Sequence, residues 1–239
     1  MTEVLEEIVE ALNHAPADAR AGDVRPDAAV PGLVLRHRGV SSFAGLSRVS
    51  MGEEMVALRQ RIDALFPDRP TRAIEFIGSR EGEGTSTVVD EFARVSATRF
   101  GQRVLLLEMD PHRREGGRPG AASGGAVARV GRLDIARLPQ EFLAAYPAAD
   151  PSEPAATWGR LRAAYDLILV DAPPATTSPQ GLAVSRQVDG VVLVLAAEDT
   201  RWPVAERVKQ SIERSGGRVH GLVFNKRRYH IPRCVYRRL

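Results

Sequence analysis

The sequence holds one cysteine, Cys234, which excludes an internal disulfide and most cysteine-based metal sites. Its five histidines show no metal-ligand spacing. No apolar run approaches the roughly 18 residues of a membrane-spanning helix, and residues 1–15 are acidic and amphipathic, unlike a signal peptide. The expectation is a soluble, cytoplasmic protein. A net basic balance is confined to one end. The net charge is +3, but residues 226–239, KRRYHIPRCVYRRL, carry six Lys/Arg and no acid; subtracting those six leaves residues 1–225 at −3. A uniformly basic nucleic-acid-binding domain is disfavoured, and a terminal anchor for an anionic surface fits better.

The most consequential absence is local. Residues 74–90, IEFIGSREGEGTSTVVD, run from an apolar strand through a glycine-rich turn into a helix, the layout of a nucleotide-phosphate cradle. In the pattern G-x-x-x-x-G-K-[ST], backbone N–H groups wrap the phosphates, Lys reaches the β/γ oxygens and the hydroxyl binds Mg²⁺. Here Gly84 is followed by Thr85 and Ser86, so the hydroxyl survives and the lysine does not.

At 239 residues and 44% hydrophobic content, the chain can bury one sizeable core. Val4, Leu5, Ile8, Val9 and Leu12 make a short helical stripe, and residues 14–40 lose periodicity and read as an Ala/Pro/Gly/Asp-rich linker. A helix resumes near Ser50, with Met55, Leu58, Ile62 and Leu65 spaced by three and four. Strand-like runs then alternate with helical ones. The predicted strands are 73–77, 104–108, 167–171, 190–196 and 219–224; the predicted helices are about 84–100, 155–164 and 203–215. The strands are short, continuously apolar and rich in Val, Ile and Leu, the signature of a parallel sheet buried on both faces. The expected fold is α/β, a doubly wound, mainly parallel sheet. Residues 112–131, rich in Gly and Arg, read as a mobile surface loop. The expected organisation is an N-terminal helix and linker (1–49), one domain (50–225) and a basic tail (226–239).

In a parallel sheet the carboxyl ends of the strands share one edge, where ligands bind. Gly82, Glu83, Gly84, Thr85, Ser86 and Thr87 follow the first strand, Glu108 and Asp110 the second, and Asp171 with Pro173 and Pro174 the third. One hydroxyl and two acidic loops suit Mg²⁺ on a nucleotide, because Mg²⁺ takes few protein oxygens beside phosphates and waters. Taken singly, each feature also has a plain structural reading: a tight turn, a solvated or capping acid. Their order along the chain argues for the nucleotide fold.

GEGTST, VLLLEMDPHRR, YDLILVDAPP, VDGVVLVLAAEDTR and GLVFNKRR together resemble the motifs of the bacterial tyrosine-kinase family of capsule and exopolysaccharide biosynthesis. These are P-loop NTPase-like proteins that partner a membrane-embedded polysaccharide co-polymerase, or chain-length regulator, and are similar to septum-site and plasmid-partition ATPases. The resemblance covers about residues 50–239. It implies ATP/ADP with Mg²⁺ as cofactor, Ser86, Asp110 and Asp171 around the metal, Asp110 and Asp171 as catalytic carboxylates, Thr87 near the α-phosphate and Asn225 near the adenine. Arg80 occupies the register of the partition ATPases' second lysine and is the candidate replacement cation, or else a solvated turn residue.

The departures are equally specific. Thr85 replaces Lys, Glu108 stands where Asp is usual, and Glu53-x-x-Val56-x-x-Arg59 keeps part of the family's E-x-x-R-x-x-R interface motif. The terminal tyrosine cluster is reduced to Tyr229 and Tyr236. With Ile231, Val235 and Leu239 these can form the apolar edge of a membrane- or partner-docking segment, serve as phosphate acceptors, or lie in a solvated tail. The resemblance therefore implies a weak kinase or pseudokinase, cytoplasmic and peripheral at the inner membrane, with homo-oligomers possible and nucleic acid not expected. The competing readings are a partition- or septum-type ATPase, and a scaffold that no longer binds nucleotide.

Overall fold

The computed structural model describes residues 48–109, 126–137 and 152–226. In chain order these form α1 (Arg48–Leu65), β1 (Arg72–Gly78), α2 (Thr85–Arg99), β2 (Val104–Glu108), β3 (Ala126–Val130), β4 (Leu133–Arg137), α3 (Ser152–Ala164), β5 (Leu167–Asp171), α4 (Pro179–Val184), β6 (Gly190–Ala196), α5 (Trp202–Arg214) and β7 (Val219–Asn225). One seven-stranded sheet runs in the order β3-β4-β2-β5-β1-β6-β7. Six strands are parallel, and β3 pairs antiparallel with β4.

Alternation along the strands divides the core. Ile74 and Phe76 of β1, Leu106 of β2 and Leu169 of β5 pack with Val88, Val89 and Phe92 of α2 and with Met55 and Ile62 of α1. The intervening residues Ile77, Leu105, Leu107, Ile168 and Val170 pack on the other face, with Trp158 and Leu161 of α3, Val184 of α4 and Val208 and Ile212 of α5. Side chains of a strand alternate between faces with period two, so a strand covered on both sides must be apolar at every position. That is why these runs carry no polar stripe, and why the doubly wound architecture was readable.

The reading of 112–131 as a loop is corrected at its end: Ala126–Val130 is strand β3, hydrogen-bonded in register with β4. Val130 pairs with Leu133 around a two-residue turn in which Gly131 has φ 62°. Such hairpin turns need a positive φ at the first loop position, which glycine adopts without steric cost. Residues 112–125 lie outside the described residues. The short helix α4, starting at Pro179, was not expected either. Pro at the first helical turn loses no bond there, because that N–H has no intrahelical acceptor.

One ionisable side chain breaks the apolar rule. Glu75, in the middle of β1, is fully buried on the α3/α4/α5 side, where Ser185 Oγ donates to Oε2 at 2.6 Å. Oε1 has no partner among the described residues. Burial pushes its carboxyl up to about 8, and the Ser185 hydrogen bond opposes only part of that rise.

Candidate phosphate-binding site

β1 is the fifth strand of the sheet, and its last residue, Gly78, opens the loop to α2. Gly82 and Gly84 both sit at positive φ, 81° and 87°. Gly84 caps α2 with no side chain to offer, and its carbonyl accepts the first intrahelical bond, from Val88 N–H at 3.1 Å. The amides of Thr85, Ser86 and Thr87 therefore have no helical acceptor, and together with the helix dipole they make an anion-binding end.

Glu83 holds this loop in shape from within. Its carboxylate is 1% exposed and accepts from Ser79 N–H at 2.5 Å, Ser79 Oγ at 2.8 Å and Arg80 N–H at 3.1 Å. A fourth donor, Thr200 Oγ1, arrives from the turn after β6. Glu83 was expected to contribute to cofactor binding through its place in the loop; its side chain instead ties the loop to its own start and to β6. Asn225 adds a brace from β7, donating from Nδ2 to the Glu83 carbonyl at 2.9 Å. It packs so closely that a Cβ on Gly84 would stand 2.3 Å from Nδ2. Asn225 thus reaches the loop, while its expected neighbour was the adenine.

The third strand end is tied on as well. Asp171 pairs in register with Phe76 on one side and Glu108 on the other, so the ends of β1, β5 and β2 share one edge. By alternation Asp171 and Glu108 project to the α2 side, and both are buried. The chain after Asp171 then hydrogen-bonds along the start of the loop. Ala172 N–H donates to Phe76 O at 3.0 Å, Ala175 N–H to Gly78 O at 2.9 Å and Thr176 Oγ1 to Ser79 O at 2.5 Å. Thr176 and Thr200 were not expected in the site. No sequence signal marks them beyond their polar, post-strand positions. Asp110, the second carboxylate of the expected metal set, lies outside the described residues, as do Tyr229, Tyr236 and Cys234.

The sequence left Arg80 open between a replacement cation and a solvated turn residue. Arg80 is half-exposed and pairs with Asp199 at 3.7 Å, on the surface turn after β6. Lys226, counted with the basic tail in the sequence, belongs to the loop's surroundings: its Cε is 3.8 Å from where a Cβ on Gly84 would stand. Arg59, the surviving arginine of the partial interface motif, is buried. It bonds Asp63 and Gln102 (2.8 Å) and has its guanidinium 5.7 Å from the Phe100 ring centre. Burial lowers its pKa, against the opposing effect of Asp63. In this chain Arg59 fastens α1 to the end of α2 and is not available on the surface.

A nucleotide's phosphates and Mg²⁺ fit these residues. The loop has two glycines in the left-handed conformation that side-chain-bearing residues rarely adopt, a helix start without a side-chain cap, and the half-buried Ser86 as hydroxyl ligand. Among the described residues no three His, Cys, Asp or Glu side chains group as a metal site on their own. No helix among the described residues is long and apolar enough to cross a membrane.

No family model matches the sequence, and no curated protein does either. The fold, however, is shared with solved kinase structures. The VpsO kinase domain superposes with a TM-score of 0.59 at 20% identity, over 76% of this chain and 98% of that one. The chimerical protein CapA2B2 gives 0.63 at 19% identity, covering 83% and 94%. The kinase domain of the Escherichia coli tyrosine kinase ETK gives 0.60 at 17%, covering 85% and 93%. At these identities the likeness establishes a common fold, a mainly parallel α/β sheet flanked by helices.

Proposed function

We propose that the chain is a nucleotide-binding protein of the tyrosine-kinase type, acting beside a membrane-embedded polysaccharide co-polymerase in exopolysaccharide or capsule assembly, with weak phosphoryl transfer or none. The observation that carries this reading is the convergence of four strand ends on one glycine loop: β1 itself, β5 through Thr176, β6 through Thr200 and β7 through Asn225. A connection that served only to link a strand to a helix would not need bracing from three further strands.

In this reading the amides from Glu83 to Ser86 hold the phosphates and the Ser86 hydroxyl binds Mg²⁺, while Asp171 and Asp110 accept its waters. Bound Mg²⁺-ATP would bring the transferable phosphoryl group and part of the positive charge that offsets it. The chain's own deficit is at Thr85. Electrostatic groups aimed at a transferring phosphoryl are typically worth about 3 kcal/mol, on the order of a hundredfold in rate. Weak turnover follows from that deficit.

The partner assignment rests on the resemblance and on the tail. The five arginines from Arg227 to Arg238, with interleaved Tyr229, Ile231, Val235 and Tyr236, suit an anionic leaflet or a docking site on a membrane protein, each Arg near the surface contributing about 1 kcal/mol.

Calorimetric titration with ATP and ADP, with and without Mg²⁺, tests the core of the proposal. ATP should bind with modest affinity and more tightly with Mg²⁺ than without. Absence of heat with both nucleotides would favour the scaffold reading.

A further inference from the structure

A phosphate loop of this pattern needs a cation, and Thr85 brings none. Its side chain also lies back over the end of β1: a Cβ on Gly78 would stand 2.8 Å from Thr85 Oγ1. Two cations flank the loop. Arg80 faces Asp199, so that pair adds no net charge, and half of its side chain is in water. Lys226 stands at the end of β7.

Its position follows from the residues before it. Asn225 is pinned on the loop by its bond to the Glu83 carbonyl. The chain then bends at Lys226, whose φ of 57° is the one positive value outside glycine among the described residues. The bend returns the lysine side chain over the loop, to Cε 3.8 Å from the vacant Cβ direction of Gly84. The ammonium is one bond beyond Cε, and a charge-assisted contact adds about 2.8 Å. An oxygen held on the amides of Gly84 to Ser86 falls within that reach.

We propose that Lys226 is the cation of this phosphate site, its ammonium entering from the end of β7 to contact the β- and γ-phosphate oxygens of a nucleoside di- or triphosphate on the Gly82–Ser86 loop. The inference rests on the nucleotide reading above. A lysine suits the role because it is a compact point charge with three donors on a flexible stem, able to follow either phosphate. The sequence pattern hides it, because most of the domain separates Lys226 from Thr85.

Full-length protein carrying Lys226→Met, Thr85→Lys or both is titrated with Mg²⁺-ADP and with AMP, which lacks the β-phosphate. Lys226→Met should weaken ADP binding by about tenfold or more and leave AMP binding unchanged. Thr85→Lys should restore ADP affinity in the Lys226→Met background and add less when Lys226 is present. The proposal is overturned by unchanged ADP affinity in Lys226→Met, by an equal loss for AMP and ADP, or by a Thr85→Lys gain that is the same in both backgrounds. Wild-type protein that binds neither nucleotide would overturn the nucleotide reading itself, and this inference with it.

Discussion

Between about pH 4.5 and pH 8 the protein should lose stability as the pH rises, and Glu75→Gln should remove that loss. The folded carboxyl of Glu75 is raised to about 8 by burial, against 4.5 for an exposed glutamate. Between those values the folded chain keeps a proton that the unfolded chain has released. A group raised in this way contributes its stability fully below the unfolded pKa and loses it as pH climbs through the folded one. The slope has a limit of about 1.4 kcal/mol per pH unit, so the whole window is worth on the order of several kcal/mol. Gln mimics the protonated acid in size and can still accept from Ser185. Urea unfolding of both proteins at pH 5, 6.5 and 8 isolates the effect, because other titrating groups cancel in the difference. The two should converge at pH 5, and Glu75→Gln should be the more stable at pH 8. Parallel profiles would contradict the burial of this charge.

The second large effect is expected at Gly84. Gly84→Ala must place a Cβ 2.3 Å from Asn225 Nδ2 in a residue at φ 87°. The left-handed conformation alone costs about 1–2 kcal/mol for a residue with a Cβ, and the displaced Asn225 bond to the Glu83 carbonyl adds about 1 kcal/mol or more. The larger loss should be functional. Moving Asn225 carries Lys226 with it, and moving Gly84 reorients the first amides of α2. Nucleotide binding should fall by at least about a hundredfold, the equivalent of two lost charge-assisted phosphate contacts. Gly82→Ala separates strain from contact. Gly82 has φ 81° but nothing within 4 Å of an added Cβ, so it should show the conformational cost alone. Equal losses of stability and binding in the two variants would mean that the Asn225 brace carries no weight.

The elements read correctly from sequence are those dictated by one local property. Strands 104–108, 167–171 and 190–196 are uninterrupted apolar runs because helices cover both faces, and their boundaries match residue for residue. The β3–β4 hairpin escaped because Arg129 and Asp134 interrupt its apolar pattern and because the Gly/Arg-rich stretch before it dominates the composition. Its signals, alternation in AVARV and LDIAR with glycine between, are weaker than a continuous run. Asp134 is tolerated there because Tyr165 Oη donates to it at 2.8 Å, a partner that local pattern cannot reveal. At the loop, the two glycines that turn the chain were legible from spacing. The braces were not: Thr200 and Asn225 lie 117 and 142 residues from Glu83. Contacts of such separation are products of the sheet order, which brings the ends of β6 and β7 beside β1. Lys226 was grouped with the tail for the same reason, by its neighbours in sequence.

The central claim is that the loop at the end of β1 receives the phosphates, and the most direct measurement is the backbone amide spectrum of the labelled protein titrated with Mg²⁺-ADP. The account predicts the largest shifts at Gly82, Gly84, Thr85 and Ser86, with smaller ones at Thr176, Thr200 and Lys226. Shifts confined to another surface, or a spectrum unchanged at saturating nucleotide, would contradict it.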